Sequence, residues 1–299
     1  MQFFKGANFN FVGFRRKALL ISAAFILAGA ISLIVKGGPA LSIDFRGGVL
    51  LDLKFQKPVA IEAIRSALSG TGLGSKAEIQ ASGGGTEVII KVPVEEGVDV
   101  TGPIKTTIRQ AIPDNTFEVI QEELVGPKVG KELGRKAMWA ALITLGAMLI
   151  YIAWRFEFRF AVASVVALLH NVLAIVGLFS IVNKEISLAV VAAILTLVGY
   201  SINDTIVVFD RIREDLRKYH RESFDNIVNR SINETLSRTA ITGVTVIMVL
   251  IVLLIFGGEV LRDFTFGMLC GVLIGTYSSI FVASPILVEW EHKSPMRRR

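Results

Sequence analysis

Long unbroken apolar runs alternate with short charged connectors along this chain. Six runs reach the roughly 17–25 residues that a helix needs to cross a bilayer: residues 18–35, 138–154, 160–182, 186–209, 236–256 and 264–288. Arg15, Arg16 and Lys17 precede the first run and Lys36 follows it. Residues 36–135, between the first two runs, have the mixed pattern of a folded domain outside the membrane. Between the fourth and fifth runs, 210–235 is a polar loop in which Phe224, Ile227, Val228, Ile232 and Leu236 share one helical face. That spacing predicts an amphipathic segment lying along the membrane surface before it turns into the fifth span.

Inside 36–135 the period changes. Residues 43–55 place Val49, Leu51, Leu53 and Phe55 at alternate positions and read as a strand. Ile61, Ile64 and Leu68 follow at helical spacing, with Pro58 suited to a first turn. Residues 76–81 and 87–94 read as strands joined by the Gly83-Gly84-Gly85 turn, 98–112 as a second helix and 116–124 as a last strand. The order βαββαβ is that of a small α+β ferredoxin-like domain. It holds no metal or nucleophile constellation, so a docking or cargo-contact module is the default expectation. Two glycine motifs are decoys. Gly72-x-Gly74-x-x-Ala77 follows a helix and lacks the strand–turn–helix setting of a dinucleotide site. The run 126–131 is one residue short of a phosphate loop and is followed by Glu132 in place of Ser or Thr. Neither supports nucleotide hydrolysis, and the chain is read as a non-enzyme without metal or cofactor.

Composition agrees with a membrane protein: 52% of residues are hydrophobic and 19% charged, against about 45–50% and 25% in soluble chains. Disorder is excluded by so much apolar surface, and the single cysteine, Cys270, excludes a disulfide framework or a cysteine zinc site. A net charge of +6, from 32 Lys+Arg and 26 Asp+Glu, would suggest a nucleic-acid partner in a soluble protein. Its distribution argues otherwise. One side of the six spans carries Lys5, Arg15, Arg16, Lys17, Arg155, Arg159, Arg211, Arg213, Arg217, Lys218, Arg221, Arg230, Lys293 and Arg297–Arg299, while the short loops opposite carry Lys184 and Arg262. The positive-inside rule then places the N-terminal 1–17, the 210–235 loop and the basic tail 289–299 in the cytoplasm, and 36–135 outside it. Ala28-Gly29-Ala30 gives the first span a signal-peptide look, but apolar character continues through Val35, which reads as an uncleaved anchor.

Ionisable groups inside spans cost roughly 2.5–3.5 kcal/mol to insert and are functional candidates. Asp204 lies five residues before the fourth span's end at Phe209, roughly 7 Å inside at about 1.5 Å per residue. Thr196, Gly199, Tyr200, Asn203 and Asp204 form one small-and-polar stripe, expected to face protein. The plainer reading is a carboxylate near the interface that reaches water. Arg238 enters the fifth span from the same side, followed by Thr242 and Thr245 on its face. It sits at a depth that allows pairing with Asp204, or it snorkels to lipid phosphate. His170, near the middle of the third span, is either a proton relay or a histidine hydrogen-bonded between helices. Gly267, Gly271, Gly275, Ser279 and Ala283 recur every four positions in the sixth span, as in a close-packing helix face.

These residues carry a pattern that resembles the SecD/SecF family of protein-export membrane proteins, within the proton-driven RND transporter superfamily. The similarity runs nearly end to end: IDFRGG at 43–48, GYSINDTIVVFDRIRE at 199–214, NRSINETLSRTAITG at 229–243, FGG at 256–258 and GTYSSIFVASP at 275–285. The chain departs from the pattern at His170-Asn171, where the family commonly shows His-Asp, which weakens a relay role for that pair. The resemblance implies a six-span half-transporter in the bacterial inner membrane, pairing with a SecD half into a twelve-span unit beside the SecYEG channel and YajC, with the translocating preprotein as substrate. It implies proton transport by Asp204 and Arg238, supported by Asn203, Tyr200, Thr242, Thr245 and His170, and a periplasmic motif at Asp44, Phe45, Gly47 and Gly48. A lone carboxylate suits Na⁺ as well as H⁺. The alternatives are a scaffold that holds the export complex together through its glycine-rich sixth span, and an RND-type exporter of small molecules or lipids. For the exporter, a domain of about 100 residues leaves little room to enclose a substrate.

Overall fold

The computed structural model describes residues 8–71, 73–74, 77–94 and 100–295; Lys5, Gly72, Lys76, Val98 and Arg297–Arg299 lie outside the described residues. Two units divide it, one made of residues up to Ala40 and from Ala140 onward, the other of Leu41–Trp139.

The membrane unit is helical. Its elements are α1 (Phe11–Val35), the second half of α5 (Pro127–Arg155), α6 (Phe158–Ile181), α7 (Leu188–Lys218), α8 (Phe224–Phe256) and α9 (Gly258–Ser278). A π-helical turn, Ser279–Ala283, leads from α9 into α10 (Ser284–Lys293). Among the described residues, six helical stretches are long and apolar enough to span a bilayer. Side-chain caps start three of them: Asn10, Ser187 and Ser223 accept from the backbone N–H of Gly13, Val190 and Asn226.

The helices outrun the apolar runs that announced them, because helix geometry continues wherever one face stays buried. The segment 210–235 shows this most clearly. Expected as a loop carrying a surface-lying helix, it consists of the last turns of α7, a short link at 219–223 and the first three turns of α8, which runs unbroken into the span. Phe224, Ile227, Val228 and Ile232 do form one face, but they are buried inside the protein, and Phe224, Val228 and Ile232 share a core with Phe209 and Ile212 of α7. An apolar stripe is satisfied by a neighbouring helix as well as by lipid, and here α7 extends far enough to supply the neighbour.

The helix ends bearing the basic residues meet one another. Arg15 pairs with Asp225 at 3.5 Å and Glu289 at 3.1 Å, Arg155 with Asp210 at 3.5 Å, and Arg159 with Glu291 at 3.4 Å. At the opposite ends, the Ile186 N–H donates to the Ala40 carbonyl at 2.7 Å, and Lys184 meets Asp263. The helices therefore run alternately up and down.

Between α1 and α6 the backbones touch. A Cβ on Gly29 would stand 2.7 Å from Gly177 Cα, and one on Gly177 would stand 2.9 Å from Gly29 Cα. The small triplet that gave the first span its signal-peptide look thus marks a helix crossing. Neither backbone can yield by changing rotamer, so Gly177→Val is expected to destabilise the bundle by about 1–3 kcal/mol. Thermal unfolding of the purified chain in detergent reads this directly, with Leu173→Ala, at an exposed position of the same helix, as the silent control.

The second unit contains α2 (Ile43–Arg46), β1 (Gly48–Phe55), α3 (Ile61–Ser69), β2 (Glu78–Ser82), a 3₁₀ turn at Gly83–Gly85, β3 (Glu87–Val92), α4 (Thr101–Ala111), β4 (Phe117–Val125) and the first turns of α5. The strands form one antiparallel sheet in the order β2-β3-β1-β4, the ferredoxin-like arrangement. Ile64, Leu68, Ile104 and Ile108 from the two helices are fully buried against Leu51, Leu53, Val88 and Ile90. The strand expected over 43–55 is shorter. Ser42 caps a helical turn by accepting from the Asp44 N–H, and the chain enters β1 only at Gly48. Alternation holds from Val49 onward, but Gly47 and Gly48 have φ of +81° and +154°, which break an extended run.

Those two glycines fasten the start of the strand, Gly47 against α5 and Gly48 against β3. A Cβ on Gly47 would lie 2.7 Å from Pro127 Cα, and one on Gly48 would lie 2.7 Å from the Val92 carbonyl oxygen. Gly130 closes against the Phe45 carbonyl from the other side, at 2.9 Å for an added Cβ. Phe45 is buried and Asp44 half-buried, its carboxylate accepting from the Ser42 hydroxyl at 3.0 Å. The run at 126–131 is accordingly a helix start, with Pro127 as the first helical residue.

Candidate functional site

Asp204 is placed by the middle of α7, where the helix passes between α8 and α9. It is 2% exposed. Its recorded side-chain hydrogen bond comes from α9, where the Thr276 hydroxyl donates to Oδ2 at 3.4 Å. Tyr200 stands one turn earlier on α7. Its hydroxyl is buried, beside the Thr242 hydroxyl of α8. A Cβ on Gly243 of α8 would lie 3.8 Å from that hydroxyl and 3.9 Å from Thr276 Oγ1. Gly243 thus leaves the room in which two hydroxyls gather beside a buried carboxylate.

The expected partner of Asp204 stands within electrostatic reach of it but does not close on it. Arg238 is exposed on α8, and among the described residues no ion pair of 4.0 Å or less joins it to Asp204. Its backbone carbonyl accepts from the Thr242 hydroxyl at 3.1 Å. Thr245 in turn donates to the Thr242 carbonyl at 2.9 Å. Both threonines thus bond back to their own helix, and the Thr242 side chain also lies within reach of Tyr200. Asn203, Gly199 and Thr196 are also exposed. The predicted stripe of α7 therefore divides: Asp204 is buried and Tyr200 half-buried, while the other three face outward. A helical wheel spreads such a stripe over a wide arc, and only its inner edge meets α8 and α9.

A second polar layer lies between α1, α6, α7 and α9. Asn171 of α6 is buried and donates to the Ser201 hydroxyl at 2.8 Å. His170 is half-buried, hydrogen-bonded to Asn171 at 3.2 Å and stacked on Tyr277, with ring centroids 6.4 Å apart. Its Nε2 is buried without a hydrogen-bond partner among the described residues. Tyr277 donates to the Ala18 carbonyl at 2.7 Å and accepts from Ser22 at 3.1 Å. His170 therefore joins a packed polar layer separate from the Asp204 contacts.

Gly267, Gly271 and Gly275 lie along the seam between α9 and its neighbours. Cβ atoms there would stand 3.4 Å from Phe179, 2.5 Å from Leu197 and 3.1 Å from Ser201. This close packing is internal, and it presses Thr276 toward Asp204. The π turn that follows is held by the Ser284 hydroxyl, which donates to the Ser279 carbonyl at 2.9 Å. Among the described residues no three His, Cys, Asp or Glu side chains gather as a metal site requires.

Sequence reading missed Thr276, Gly243 and Ser201 as members of these layers. A signal existed for Thr276, which directly follows the last glycine of the packing stripe. Gly243 and Ser201 had none, since small and hydroxyl residues are common in spans.

Comparison with known proteins bears on this architecture. The family model "Protein export membrane protein SecD/SecF, C-terminal" matches residues 104–293, and the "SecD/SecF GG Motif" model matches 31–59. The second stretch contains Gly47 and Gly48. Protein translocase subunit SecF of Rhodothermus marinus is 44% identical, with 100% of this chain and 98% of that one aligned. The subunit of the same name from Desulfurispirillum indicum is 45% identical over 94% of this chain and 91% of its own. The crystal structure of SecDF from Thermus thermophilus, a translocon-associated membrane protein, superposes with a TM-score of 0.85 at 37% identity. That match covers 96% of this chain but only 39% of the SecDF chain. From the motif glycines to the end of the last helix, the chain belongs to the SecD/SecF family of protein-export membrane proteins, among its SecF members.

Proposed function

We propose that this chain is one half of a two-subunit, proton-driven motor that completes protein export across the bacterial inner membrane. Its partner is a SecD-type half-transporter. The pair works beside the SecYEG channel, with YajC attached, and acts on the emerging preprotein. The basic ends face the cytoplasm, as the positive-inside rule requires, and the 41–139 unit lies in the periplasm. The chain performs no reaction and needs no cofactor.

One observation carries the reading: the site is half built. Asp204 is buried with a single hydroxyl donor, while Arg238 and Asn203 stand exposed on a face that would otherwise meet hydrocarbon. A cation left to lipid costs roughly 2.5–3.5 kcal/mol, so a second polar helix face covering Arg238 is the favourable arrangement. A SecD half supplies one. H⁺ is favoured over Na⁺ because one carboxylate and one hydroxyl suffice to hold a proton, whereas hard cations collect several oxygen ligands. Proton arrival neutralises Asp204, changes the field felt by Arg238 across the joint and shifts α7 against α8. The scaffold alternative loses its main support, since the glycine face of α9 is consumed within the chain.

The test is reconstitution with a SecD partner and the channel in vesicles. The pair is expected to stimulate preprotein translocation only when a proton gradient is imposed, with or without Na⁺; stimulation surviving a protonophore would refute the motor. Arg238→Gln should abolish the stimulation and reduce recovery of the partner. It should leave the chain's own thermal stability within about 0.5 kcal/mol, as for an exposed residue without an ion pair of 4.0 Å or less among the described residues.

A further inference from the structure

We infer that the basic end of the bundle contains a binding site for the phosphodiester headgroup of an anionic phospholipid, between the end of α5 and the extension of α7. A cavity of about 400 Å³ is lined there by Arg155, Asp210, Arg213, Glu214, Arg217 and Lys218.

The two carboxylates do not cancel the four cations. Glu214 is turned to Arg211, outside the cavity lining, at 2.7 Å. Asp210 reaches Arg155 at 3.5 Å. Among the described residues, Arg213, Arg217 and Lys218 form no ion pair. Two of the guanidinium groups are held in place by one ring. Arg155 and Arg213 lie 5.0 and 5.6 Å from the centroid of buried Phe156, and Arg213 also donates to the Arg155 carbonyl at 3.4 Å. Guanidinium groups steadied in this way present paired N–H donors, the geometry that phosphate oxygens accept.

The surroundings distinguish a lipid from a soluble phosphate. Trp154 and Phe158, on either side of Arg155-Phe156-Glu157, are 85% and 67% exposed. Aromatic side chains exposed at a helix end mark the headgroup level of a bilayer. Below them α5 presents Ile150, Ile143 and Leu142 outward, an apolar wall for acyl chains. Basic pockets between spans on the cytoplasmic side are suited to such headgroups. The inference rests on the membrane orientation proposed above, but its test does not use export.

The full chain, purified in detergent and stripped of lipid, is titrated with phosphatidylglycerol, with phosphatidylcholine or with inorganic phosphate, and bound molecules are read by native mass spectrometry. Phosphatidylglycerol is expected to bind in preference to phosphatidylcholine. Arg213→Gln with Arg217→Gln should weaken it by about 30-fold, roughly fivefold per cation. Arg217→Gln alone, which removes no hydrogen bond or ion pair among the described residues, should weaken it about fivefold with unchanged thermal stability. Arg221→Gln, off the cavity lining, should do nothing. Equal binding of both lipids, or unchanged binding in the Arg217 variant, overturns the site. Displacement of the lipid by inorganic phosphate at comparable concentration would overturn its assignment as a lipid site, whether or not the motor proposal holds.

Discussion

Asp204→Asn is expected to remove the proton-driven component of export entirely, while the variant assembles with its partner as well as the unaltered chain does. One charge moved through 100 mV is worth about 2.3 kcal/mol, a population shift of about 50-fold in a two-state element. An amide cannot carry that charge, so the shift is forfeited. The substitution preserves shape: the Asn side-chain oxygen can still accept from Thr276, whose bond to Asp204 Oδ2 is 3.4 Å long. Among the described residues Asp204 forms no ion pair of 4.0 Å or less whose loss would destabilise the chain, and neutralising a buried carboxylate relieves a desolvation cost. The measurement is translocation into vesicles with and without an imposed proton gradient, alongside recovery of the complex in detergent. Loss of recovery with intact gradient dependence would mean that Asp204 locks the bundle and moves no proton.

Gly47→Ala is expected to have the largest effect on stability. An L side chain at φ +81° costs about 1–2 kcal/mol. Its Cβ would also stand 2.7 Å from Pro127 Cα and 2.8 Å from Pro127 N, an overpacking cost of about 1–3 kcal/mol. Backbone atoms of a helix start cannot step aside. Together these amount to about 2–5 kcal/mol, a large share of a small domain's stability, and raise its unfolded fraction at least about 30-fold. Limited proteolysis of the full chain in membranes should show cleavage within Leu41–Trp139 accelerated by a similar factor, since cleavage follows the open population. Gly126→Ala, one residue before the same helix and with open space around it, should cleave at the unaltered rate. Equal rates in both variants would show that the motif glycines serve recognition and have no structural task.

Much of the molecule was legible in advance for local reasons. The six spans followed from run length, and the sheet from Val49, Leu51, Leu53, Val88 and Ile90 at alternate positions. Errors came where one pattern admits two surroundings. Phe224, Ile227, Val228 and Ile232 form an apolar stripe whether lipid or α7 covers them. Ile43–Arg46 precede a true strand, and only the positive φ of Gly47 separates the two. For the candidate site, the identity of Asp204 was available from its cost in a span, whereas its neighbours Thr276 and Gly243 come from helices more than thirty residues away in the chain.

The sequence by itself determined the number of spans, their alternation and the class of the soluble unit, because hydropathy and charge act on each segment separately. It also singled out Asp204 and Arg238, since an ionisable group in an apolar run is costly wherever the helix points. Only the tertiary structure decided that Asp204 is buried while Arg238, within electrostatic reach of it, stays exposed. In water the apolar face of a helix must be the buried one, but in a bilayer lipid and protein interior are alike in polarity. Periodicity then says which residues share a face, and packing alone says which face meets protein. Here the close approach of α9 to its neighbours along Gly267, Gly271 and Gly275 makes that choice, holding Thr276 beside Asp204 and leaving Arg238 exposed on α8.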